Sequence, residues 1–365
     1  MSEAKPAADK GRDLQSIAPP LAAWLGERIG ADVTVSDFGY PVGAGHSNET
    51  IHFAAGWTDG PRRERRDLVL RIHPRQEYQM FLHPRFRMQF DLLEALGRGE
   101  LVRVPTVHWY EADTRLLGQP FFVMERMFGR VPVSSPVYNA SGWLHDATPA
   151  ERRRLWEAAI FELARIHRVP AGIVPFLADP DLGVANLQQL FGEAVDTLHW
   201  SAGAEPHPVL DDVLQWLRAH FPAETPVGLA WGDARIGNMM FGDDFGVVGV
   251  MDWEQASLGG GLTDLGWWLF FDDFHSTTSG LKRLDGLGSR EETVGLWQEL
   301  TGQPVRDLLW YEVLAGFRLS MFPLQMRDRE TGRPAGASPE DSEFLRQVCG
   351  LLQIAPPGER TRRRS

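Results

Sequence analysis

Two carboxylates and one amide stand at short, defined separations in the second half of the chain. Asp233 and Asn238 are five residues apart, and Asp252 follows Asn238 by fourteen residues. Kinase-type phosphoryl transfer needs one carboxylate that orients the receiving hydroxyl. It also needs an amide and a second carboxylate that hold the metal ion at the phosphates. The types and spacing of these residues therefore predict the catalytic and metal-binding groups of such a reaction.

A predicted β-hairpin separates Asn238 from Asp252. The apolar runs 239–241 and 247–251 flank the turn sequence 242–246, which reads Gly-Asp-Asp-Phe-Gly. The hairpin would return Asp252 to the side of Asn238, so that one Mg²⁺ could bind oxygen atoms of both; magnesium accepts few protein ligands besides phosphates and water. The alternative interpretation is that Asp233 and Asp252 are turn or cap residues, as aspartate often is. The ordered set with its hairpin favours the metal site.

The composition is that of a folded protein with room for two lobes. Of its 365 residues, 43% are hydrophobic and 24% are charged. The net charge of −12 argues against a nucleic-acid partner, which requires a basic face. The single cysteine, Cys349, excludes an intramolecular disulfide, and we expect it to pack as a small apolar residue in a helix. Because neither a secretory h-region nor an apolar run of 18 residues occurs, we expect a soluble cytoplasmic protein with no membrane partner.

The pattern of apolar residues predicts a change from strands to helices near residues 125–130. Residues 14–128 form the predicted N-terminal lobe, with helices near 20–29 and 85–97 and strands near 33–35, 51–53, 68–72, 106–111 and 120–126. Residues 129–354 form the predicted helical C-terminal lobe, with helices near 149–168, 184–200, 208–220, 262–275, 290–301, 304–326 and 339–354. Thr148 is the expected N-cap of the first of these, with Glu151 completing a capping box. Residues 1–13 and the Arg-rich 355–365 are predicted to be disordered.

With these motifs, the chain resembles the aminoglycoside phosphotransferase family, and more narrowly the kinase-like domain attached to some acyl-CoA dehydrogenases. The resemblance covers about residues 35–330, and it is strongest in Gly43–Thr50, Phe121–Arg130, Trp231–Asn238 and Asp252–Glu254. It implies an α+β, protein-kinase-like fold of two lobes, in which a small antiparallel sheet with one helix precedes a larger, mainly helical lobe. It also implies that ATP, or GTP, binds with Mg²⁺ between the lobes and that a small molecule's hydroxyl is phosphorylated.

The resemblance assigns functions to individual residues of the catalytic stretch. Asp233 becomes the catalytic base or hydroxyl-positioning residue, and Asn238 and Asp252 become the metal ligands. Asp264 corresponds to a residue that braces the catalytic loop as structural support.

The nucleotide-binding residues implied by the resemblance lie earlier in the chain. The segment Gly43-Ala44-Gly45-His46-Ser47-Asn48 lies between two predicted strands, and its glycines would let backbone N–H groups approach phosphate oxygens without an intervening Cβ. The main chain of Glu125 and Met127 is expected to hold the adenine edge.

Three positions depart from the general family pattern. Arg71 stands where a lysine usually bridges the phosphates, and guanidinium and ammonium are not interchangeable there. Gln89 stands where that cation's glutamate partner is expected, which leaves a neutral Arg71–Gln89 pairing or another acid as the partner. Glu94, five residues beyond Gln89, lies about 140° away around the helix and is a poor substitute. Trp231 replaces a histidine, and it either packs beneath the loop or lines the acceptor site.

Two further predictions concern His167 and the acceptor. His167, at the end of a predicted helix, is expected to be buried and to hydrogen-bond toward the catalytic loop. Four acids of the helical lobe could pair with a cationic acceptor, although solvated helix faces explain them as well; these are Asp272, Asp273, Glu193 and Asp196. The acceptor itself is not identified, because acceptors vary on one fold.

Two other functions compete with a small-molecule kinase. The departures at Arg71 and Gln89 favour a nucleotide-binding module with little or no transfer activity. A protein kinase is disfavoured, because the short interval between Asp252 and Asp264 leaves no room for a long activation segment.

Overall fold

The computed structural model describes residues 12–41, 48–76, 79–134, 136–179, 184–202, 206–325 and 342–357. The chain divides into two units. The first comprises residues 1–79 and 105–127, and the second comprises residues 80–104 and 128–365. The predicted change from strands to helices near residues 125–130 therefore coincides with the boundary between the two units, after Met127.

The first unit is an antiparallel sheet covered by one helix. Its five strands pair in the order β1-β2-β3-β5-β4. Helix α1 buries Leu21 and Leu25 against inward-facing side chains of the sheet such as Phe53 and Val123, and burial of such side chains is the main stabilising term for a small unit. The elements are α1 (Leu14–Ile29), β1 (Val33–Gly39), β2 (Glu49–Asp59), β3 (Arg62–Ile72), β4 (Val107–Glu111) and β5 (Phe121–Glu125).

Helix α1 begins at Leu14, six residues earlier than the predicted start at 20. The prediction was wrong because Pro19 and Pro20 normally end or kink a helix, yet both lie inside this one. Asp13 caps the helix by accepting a hydrogen bond from the Gln15 backbone N–H, at 3.0 Å. Packing of its apolar face thus outweighs the lost backbone hydrogen bonds.

Arg12 shows that the predicted disordered lead extends too far. Its Nε lies 3.2 Å from Oε2 of Glu49, and its Nη1 donates to the carbonyl oxygen of Leu117 at 2.7 Å. Residues 12 and 13 therefore belong with the first unit, while residues 1–11 and 358–365 lie outside the described residues.

The second unit consists mainly of helices and one short hairpin. Helix α7 is buried on nearly all sides, and a Cβ at Gly266 would lie 2.6 Å from Cβ of Tyr311, so this glycine allows α7 and α9 to approach closely. Its elements are α2 (Phe86–Gly97), α3 (Trp143–Asp146), α4 (Pro149–His167), α5 (Leu187–Ala202), α6 (Pro208–Ala219), β6 (Met239–Phe241), β7 (Val247–Val250), α7 (Gly261–Asp273), α8 (Arg290–Thr301), α9 (Leu308–Ser320), α10 (Phe322–Gln325) and α11 (Glu343–Leu352).

Local signals in the helical unit agree with the structure at several points. Thr148 and Glu151 form the expected capping box at the start of α4. Cys349 is buried in α11, as predicted. The single helix expected over 304–326 is two helices, α9 and α10, with Met321 between them. None of the helices in the described part of the chain combines the length and the hydrophobicity of a membrane-spanning segment.

Residues 80–104, which include α2, group with the second unit, whereas the sequence-based division placed them in the N-terminal lobe. Contacts distant in sequence explain the difference. Nη2 of Arg85 lies 2.5 Å from Oε1 of Glu193. The Arg103 backbone N–H donates to the buried carboxylate of Glu162 at 2.8 Å, and the Arg103 carbonyl accepts from Val250 N–H at 2.7 Å. Such long-range pairing is not visible in a linear pattern of strands and helices.

Candidate active site

The hairpin of β6 and β7 brings the chain from Asn238 back to Asp252. Met239 pairs with Val250 across the two antiparallel strands. The Met251 N–H then donates to the Asn238 carbonyl at 2.9 Å. Asp252 follows directly and has φ of 56°, a left-handed conformation that a non-glycine residue adopts at a cost of about 1–3 kcal/mol. The hairpin thus returns Asp252 to the side of Asn238.

Asp233 is held by three donors from its own unit. Nδ2 of Asn238 donates to Oδ2 at 2.6 Å, and Nε1 of Trp267 donates to Oδ1 at 2.9 Å. Nε of Arg235 also donates to Oδ1, at 3.1 Å. The carboxylate is largely buried, with 17% of its side chain exposed. These contacts orient the group and leave Oδ2 with a single donor.

The oxygen atoms near the hairpin fit a magnesium ion. Because the amide nitrogen of Asn238 faces Asp233, its amide oxygen is the atom that remains to bind a cation. With the carboxylate of Asp252 it would supply two hard oxygen ligands, which suits Mg²⁺ when phosphates and water complete its octahedron. No group of three or more His, Cys, Asp or Glu side chains fit for a metal occurs among the described residues.

Asp264 supports the loop that carries Asp233. It is fully buried, and its carboxylate accepts from the backbone N–H groups of Trp231, at 2.6 Å, and Gly232, at 2.8 Å. Nε2 of His167 lies 2.9 Å from the same carboxylate. A buried charge is stable only when it is well hydrogen-bonded, and here those bonds set the position of the loop.

The tautomer of His167 follows from its two partners. Nε1 of Trp297 lies 2.7 Å from Nδ1 of His167. Since an indole N–H can only donate, Nδ1 must accept, and Nε2 carries the proton that is donated to Asp264. The expectation that His167 is buried and directed toward the catalytic loop agrees with this geometry, although it acts through Asp264.

Glycine is required at position 232. Its φ is 98°, and a Cβ there would overlap the carbonyl oxygen of Gln255. The loop therefore lies directly against the segment that follows Asp252. Trp231, beside it, is fully buried and donates through Nε1 to the Met251 carbonyl at 2.7 Å. Of the two interpretations of Trp231, the structure favours packing beneath the loop.

The residues expected to contact the nucleotide are only partly described. Gly43, Ala44, Gly45, His46 and Ser47 lie outside the described residues. Asn48 is buried at the start of the second strand, and Arg71 is half-buried on β3, opposite Thr50 and Phe122.

The two residues considered as partners of Arg71, the amide Gln89 and the acid Glu94, both lie on α2. Gln89 is buried, whereas Glu94 is 45% exposed and pairs with Arg98 at 3.0 Å. Arg71 and Gln89 belong to different units, and their pairing stays a prediction.

Glu125 ends β5, at the position expected for an adenine-binding main chain. Its N–H donates to the Thr106 carbonyl at 2.8 Å, so this group is committed to the sheet edge. Its carboxylate lies 2.8 Å from Nε2 of His108 and 3.3 Å from Nη1 of Arg66. Met127 is the last residue of the first unit.

Most of the acids considered for a cationic acceptor already have arginine partners. Asp272 forms an ion pair with Arg283, and Glu193 pairs with Arg85 at 2.5 Å. Asp273 lies 3.7 Å from Nη1 of Arg290, and Asp196 is exposed on α5. Asp272 and Glu193 thus each have an arginine partner, whereas Asp273 shares Arg290 with Glu312.

Sequence reasoning missed Arg235 and Trp267, both of which contact Asp233. The position of Arg235, two residues after Asp233, was a usable signal for a cation beside the carboxylate. Trp267 lies 34 residues from Asp233, and no local pattern distinguishes it from the other tryptophans of the helical unit.

Comparison with known proteins identifies the family. A model of the phosphotransferase enzyme family, APH, matches residues 40–298. The chain belongs to this family. Among curated proteins, it is 28% identical over 238 residues to the probable acyl-CoA dehydrogenase IBR3 of Arabidopsis thaliana, covering 63% of this chain and 27% of that protein. It is 25% identical over 321 residues to human acyl-CoA dehydrogenase family member 11, covering 82% of this chain and 38% of that protein. The chain thus spans well under half the length of these relatives.

Solved structures show the same fold for this phosphotransferase-family protein. A provisionally named aminoglycoside phosphotransferase of Ralstonia eutropha JMP134 superposes with a TM-score of 0.65 at 21% identity, covering 92% of this chain and 95% of that one. The macrolide 2'-phosphotransferase MphH of Brachybacterium faecium superposes with a TM-score of 0.52 at 18% identity, covering 92% of this chain and 98% of that one. A thermostable mutant of aminoglycoside phosphotransferase APH(4)-Ia, in complex with AMP-PNP and hygromycin B, gives 0.52 at 15% identity, covering 92% and 98%. The predicted protein-kinase-like α+β fold is confirmed.

Proposed function

We propose that this protein transfers the γ-phosphoryl group of ATP, or of GTP, to a hydroxyl of a small molecule. The observation that carries the proposal is the set of contacts that joins Asp233, Asn238 and the hairpin leading to Asp252 in one unit of a phosphotransferase-family chain. The complex of APH(4)-Ia with AMP-PNP and hygromycin B, and a structure of APH(2")-IIia with GDP and kanamycin, support a nucleotide and a hydroxyl-bearing acceptor by analogy.

Asp233 would position the acceptor hydroxyl. A carboxylate offers about four lone-pair sites, and Oδ1 already accepts from Trp267 and Arg235 while Oδ2 accepts only from Asn238. The hydroxyl would therefore donate to Oδ2, which directs its oxygen toward the phosphorus. Oδ2 can take up the proton as the new O–P bond forms and the bond from the γ-phosphorus to the β–γ bridging oxygen breaks, which releases ADP or GDP.

Asn238 and Asp252 would hold the magnesium ion through their oxygen atoms. When bound, that ion supplies positive charge that offsets the negative charge of the phosphates. The Gly43–Asn48 segment and Arg71 are proposed to bind the phosphates, and the main chain of Glu125 and Met127 the adenine. Asp264 would hold the catalytic loop in position through its hydrogen bonds to the backbone N–H groups of Trp231 and Gly232.

The test compares Asp233→Asn with the wild-type protein. Thermal melting with and without ATP and Mg²⁺ first measures nucleotide binding. An ATP-consumption screen over amino sugars, macrolides, choline, homoserine and hydroxyacyl compounds then identifies an acceptor. We expect Asp233→Asn to bind ATP normally and to lower turnover about 10²–10⁴-fold, the range for a positioned acid or base.

Asp243→Asn is the matched control, because Asp243 is a fully exposed aspartate in the turn of the same hairpin. It should keep wild-type turnover. Wild-type turnover in Asp233→Asn would remove Asp233 from the proposed function. Stabilisation by ATP without phosphorylation of any hydroxyl compound would favour the alternative, a nucleotide-binding module.

A further inference from the structure

The side chain of Arg318 is buried at the wall of a cavity in the second unit. The cavity measures about 660 Å³ with its open mouth included, and Gln325 also lines it. Among the described residues, neither Nη1 of Arg318 nor Oε1 of Gln325 has a hydrogen-bond partner, and both atoms are closed to solvent. Burying a charged side chain is costly, so the other contacts of Arg318 indicate why a guanidinium is kept at this position.

Two contacts hold the guanidinium of Arg318 beside the catalytic loop. Its Nη2 donates to Oε1 of Gln255 at 2.8 Å, and its Cζ lies 4.8 Å from the ring centroid of Trp267. The backbone carbonyl of Gln255 lies directly against Gly232 of the loop. A guanidinium within about 6 Å of an indole face is attracted by the negative charge of its π-system. Arg318 therefore ties the plane of the Trp267 ring to the segment that packs on the loop.

The indole of Trp267 passes this orientation to Asp233. Its Nε1 donates to Oδ1 of Asp233 at 2.9 Å, and the residue is only 1% exposed. An indole N–H points along the plane of its ring, so the plane decides where the donated hydrogen lies. The neighbouring Gly266 lets α7 lie close against α9, which brings Arg318 of α9 within reach of the ring.

The charges around Arg318 point to the same loop. Burial lowers the pKa of Arg318, and the negative charges of Asp264, Glu193 and Asp233 oppose this shift. Asp233 belongs to the catalytic loop, and Asp264 accepts hydrogen bonds from its backbone. The positive charge of Arg318 is therefore balanced in part by the carboxylates of the loop that its contacts support.

We propose that Arg318 is a positioning residue for Asp233 and that it acts through the ring of Trp267. The inference rests on the proposed function, in which Oδ2 of Asp233 receives the acceptor hydroxyl. Trp267 and Arg235 both donate to Oδ1, which leaves Oδ2 directed to the acceptor. Without the guanidinium on its face, the indole tilts and the carboxylate turns with it.

A second arginine–tryptophan pair of the same unit provides a matched control. Cζ of Arg153 also lies 4.8 Å from the ring centroid of its tryptophan, Trp156. The indole of Trp156 donates to Oγ1 of Thr293 at 3.2 Å and not to a carboxylate of the loop. Arg153→Met thus removes a contact of the same kind at the same distance, away from Asp233.

Steady-state kinetics with an acceptor from the screen test the inference. Trp267→Phe removes the indole N–H and should lower kcat about 100-fold, and Arg318→Met should lower it about tenfold, as misplacement of a reacting group predicts. Neither should change the KM for ATP, because the lost contacts orient only the group that acts in the transition state. The double variant should be no slower than Trp267→Phe, since Arg318 acts through the indole. Arg153→Met should keep the wild-type kcat.

The indole N–H resonances give a readout that does not need turnover. The chain has 13 tryptophans, so the spectrum of ¹⁵N-labelled Trp267→Phe is used to assign the Nε1–H signal of Trp267. We expect this signal to move in Arg318→Met and in Asp233→Asn, because each change alters the hydrogen bond from Trp267 to Asp233. It should stay in place in Arg153→Met.

Each outcome decides the inference. A double variant that is about 1,000-fold slower than the wild type, the product of the two single losses, shows independent effects and overturns it. A Trp267 signal that does not move in Arg318→Met overturns it as well. If Arg318→Met does not fold by circular dichroism, Arg318→Lys replaces it and should show the same changes, because lysine lacks the planar guanidinium.

Failure of the proposed function is recognised separately. If the wild-type protein phosphorylates none of the compounds in the screen, the proposed function fails, and the Trp267 signal alone decides whether Arg318 orients Asp233. A signal that moves in Arg318→Met and stays in Arg153→Met then supports that orientation, and a signal that is the same in all proteins overturns it.

Discussion

The two sides of the loop that carries Asp233 differ in how many of their buried polar atoms have hydrogen-bond partners. On the bracing side, Asp264, His167 and Trp297 form a chain in which each polar side-chain group has a partner within 2.9 Å. On the cavity side, Arg318 and Gln325 each leave a buried atom without a partner in the part of the chain that the structure describes. A satisfied buried network stabilises the fold, whereas a buried polar atom without a partner costs free energy.

This difference has a direct consequence for stability. Removing a member of the bracing network leaves the polar groups of its neighbours buried without hydrogen-bond partners, which is strongly destabilising. Arg318 on the cavity side has one side-chain hydrogen bond, from its Nη2 to Oε1 of Gln255 at 2.8 Å, so its removal leaves one oxygen atom without a donor. Substitutions on the two sides are therefore expected to differ in the size of their effect on stability.

The largest expected effect on stability is that of Asp264→Ala. It leaves the backbone N–H groups of Trp231 and Gly232 and the His167 ring without their shared acceptor, and should lower the free energy of unfolding by about 3–5 kcal/mol. Arg318→Met should lower it by only about 1–3 kcal/mol, because it leaves a single oxygen atom, Oε1 of Gln255, without its donor. Urea unfolding measures both, and equal losses in the two variants would abolish the comparison.

The next effect concerns how closely the loop packs against the segment after Asp252. Gly232→Ala introduces a Cβ that overlaps the Gln255 carbonyl and forces a positive φ on alanine. It should lower the free energy of unfolding by about 3 kcal/mol. In Gly295→Ala, a helical glycine of α8 with open space around it gains a methyl group, and stability should rise by about 0.5–1 kcal/mol. A stable Gly232→Ala would contradict the described loop.

The smallest of these effects is a pH dependence that comes from His275, which does not line the cavity of Arg318 and Gln325. His275 lines a second, smaller cavity with Arg235, and burial lowers its pKa from 6.5 to about 4. The unfolded chain therefore binds the extra proton first, so the stability contributed by neutral His275 is complete above pH 6.5 and is lost as the pH falls toward 4. Between pH 6.5 and about pH 5 the loss amounts to about 2 kcal/mol.

Unfolding curves of the wild type and His275→Gln are compared between pH 6.5 and about pH 5. This comparison separates the titration of His275 from that of the carboxylates, which usually titrate at lower pH. The difference in the free energy of unfolding between the two proteins should shrink by about 2 kcal/mol as the pH falls. His199→Gln, which changes an exposed histidine of α5, should follow the wild type. A parallel pH dependence in wild type and His275→Gln would show that His275 titrates normally.

Local chemistry in the sequence was enough to anticipate much of the fold. Capping at Thr148, the turn between β6 and β7 and the apolar stripes of the helices depend on residues close in sequence, and they were predictable for that reason. The early start of α1 was not, because tertiary packing of its apolar face overrode the local signal of Pro19 and Pro20. The grouping of α2 with the helical unit was likewise hidden, since Arg85 and Arg103 find their partners far along the chain.

The sequence by itself determined the set proposed for catalysis, Asp233, Asn238 and Asp252, because the hairpin that returns Asp252 to Asn238 is formed by residues close in sequence. Only the tertiary structure decided what surrounds that set. Trp267 reaches Asp233, Asp264 reaches the loop backbone, and Arg318 reaches a cavity, each from a helix distant in sequence. Spacing along a chain encodes contacts within a turn, whereas burial and unmet hydrogen bonds arise only when separate helices pack together.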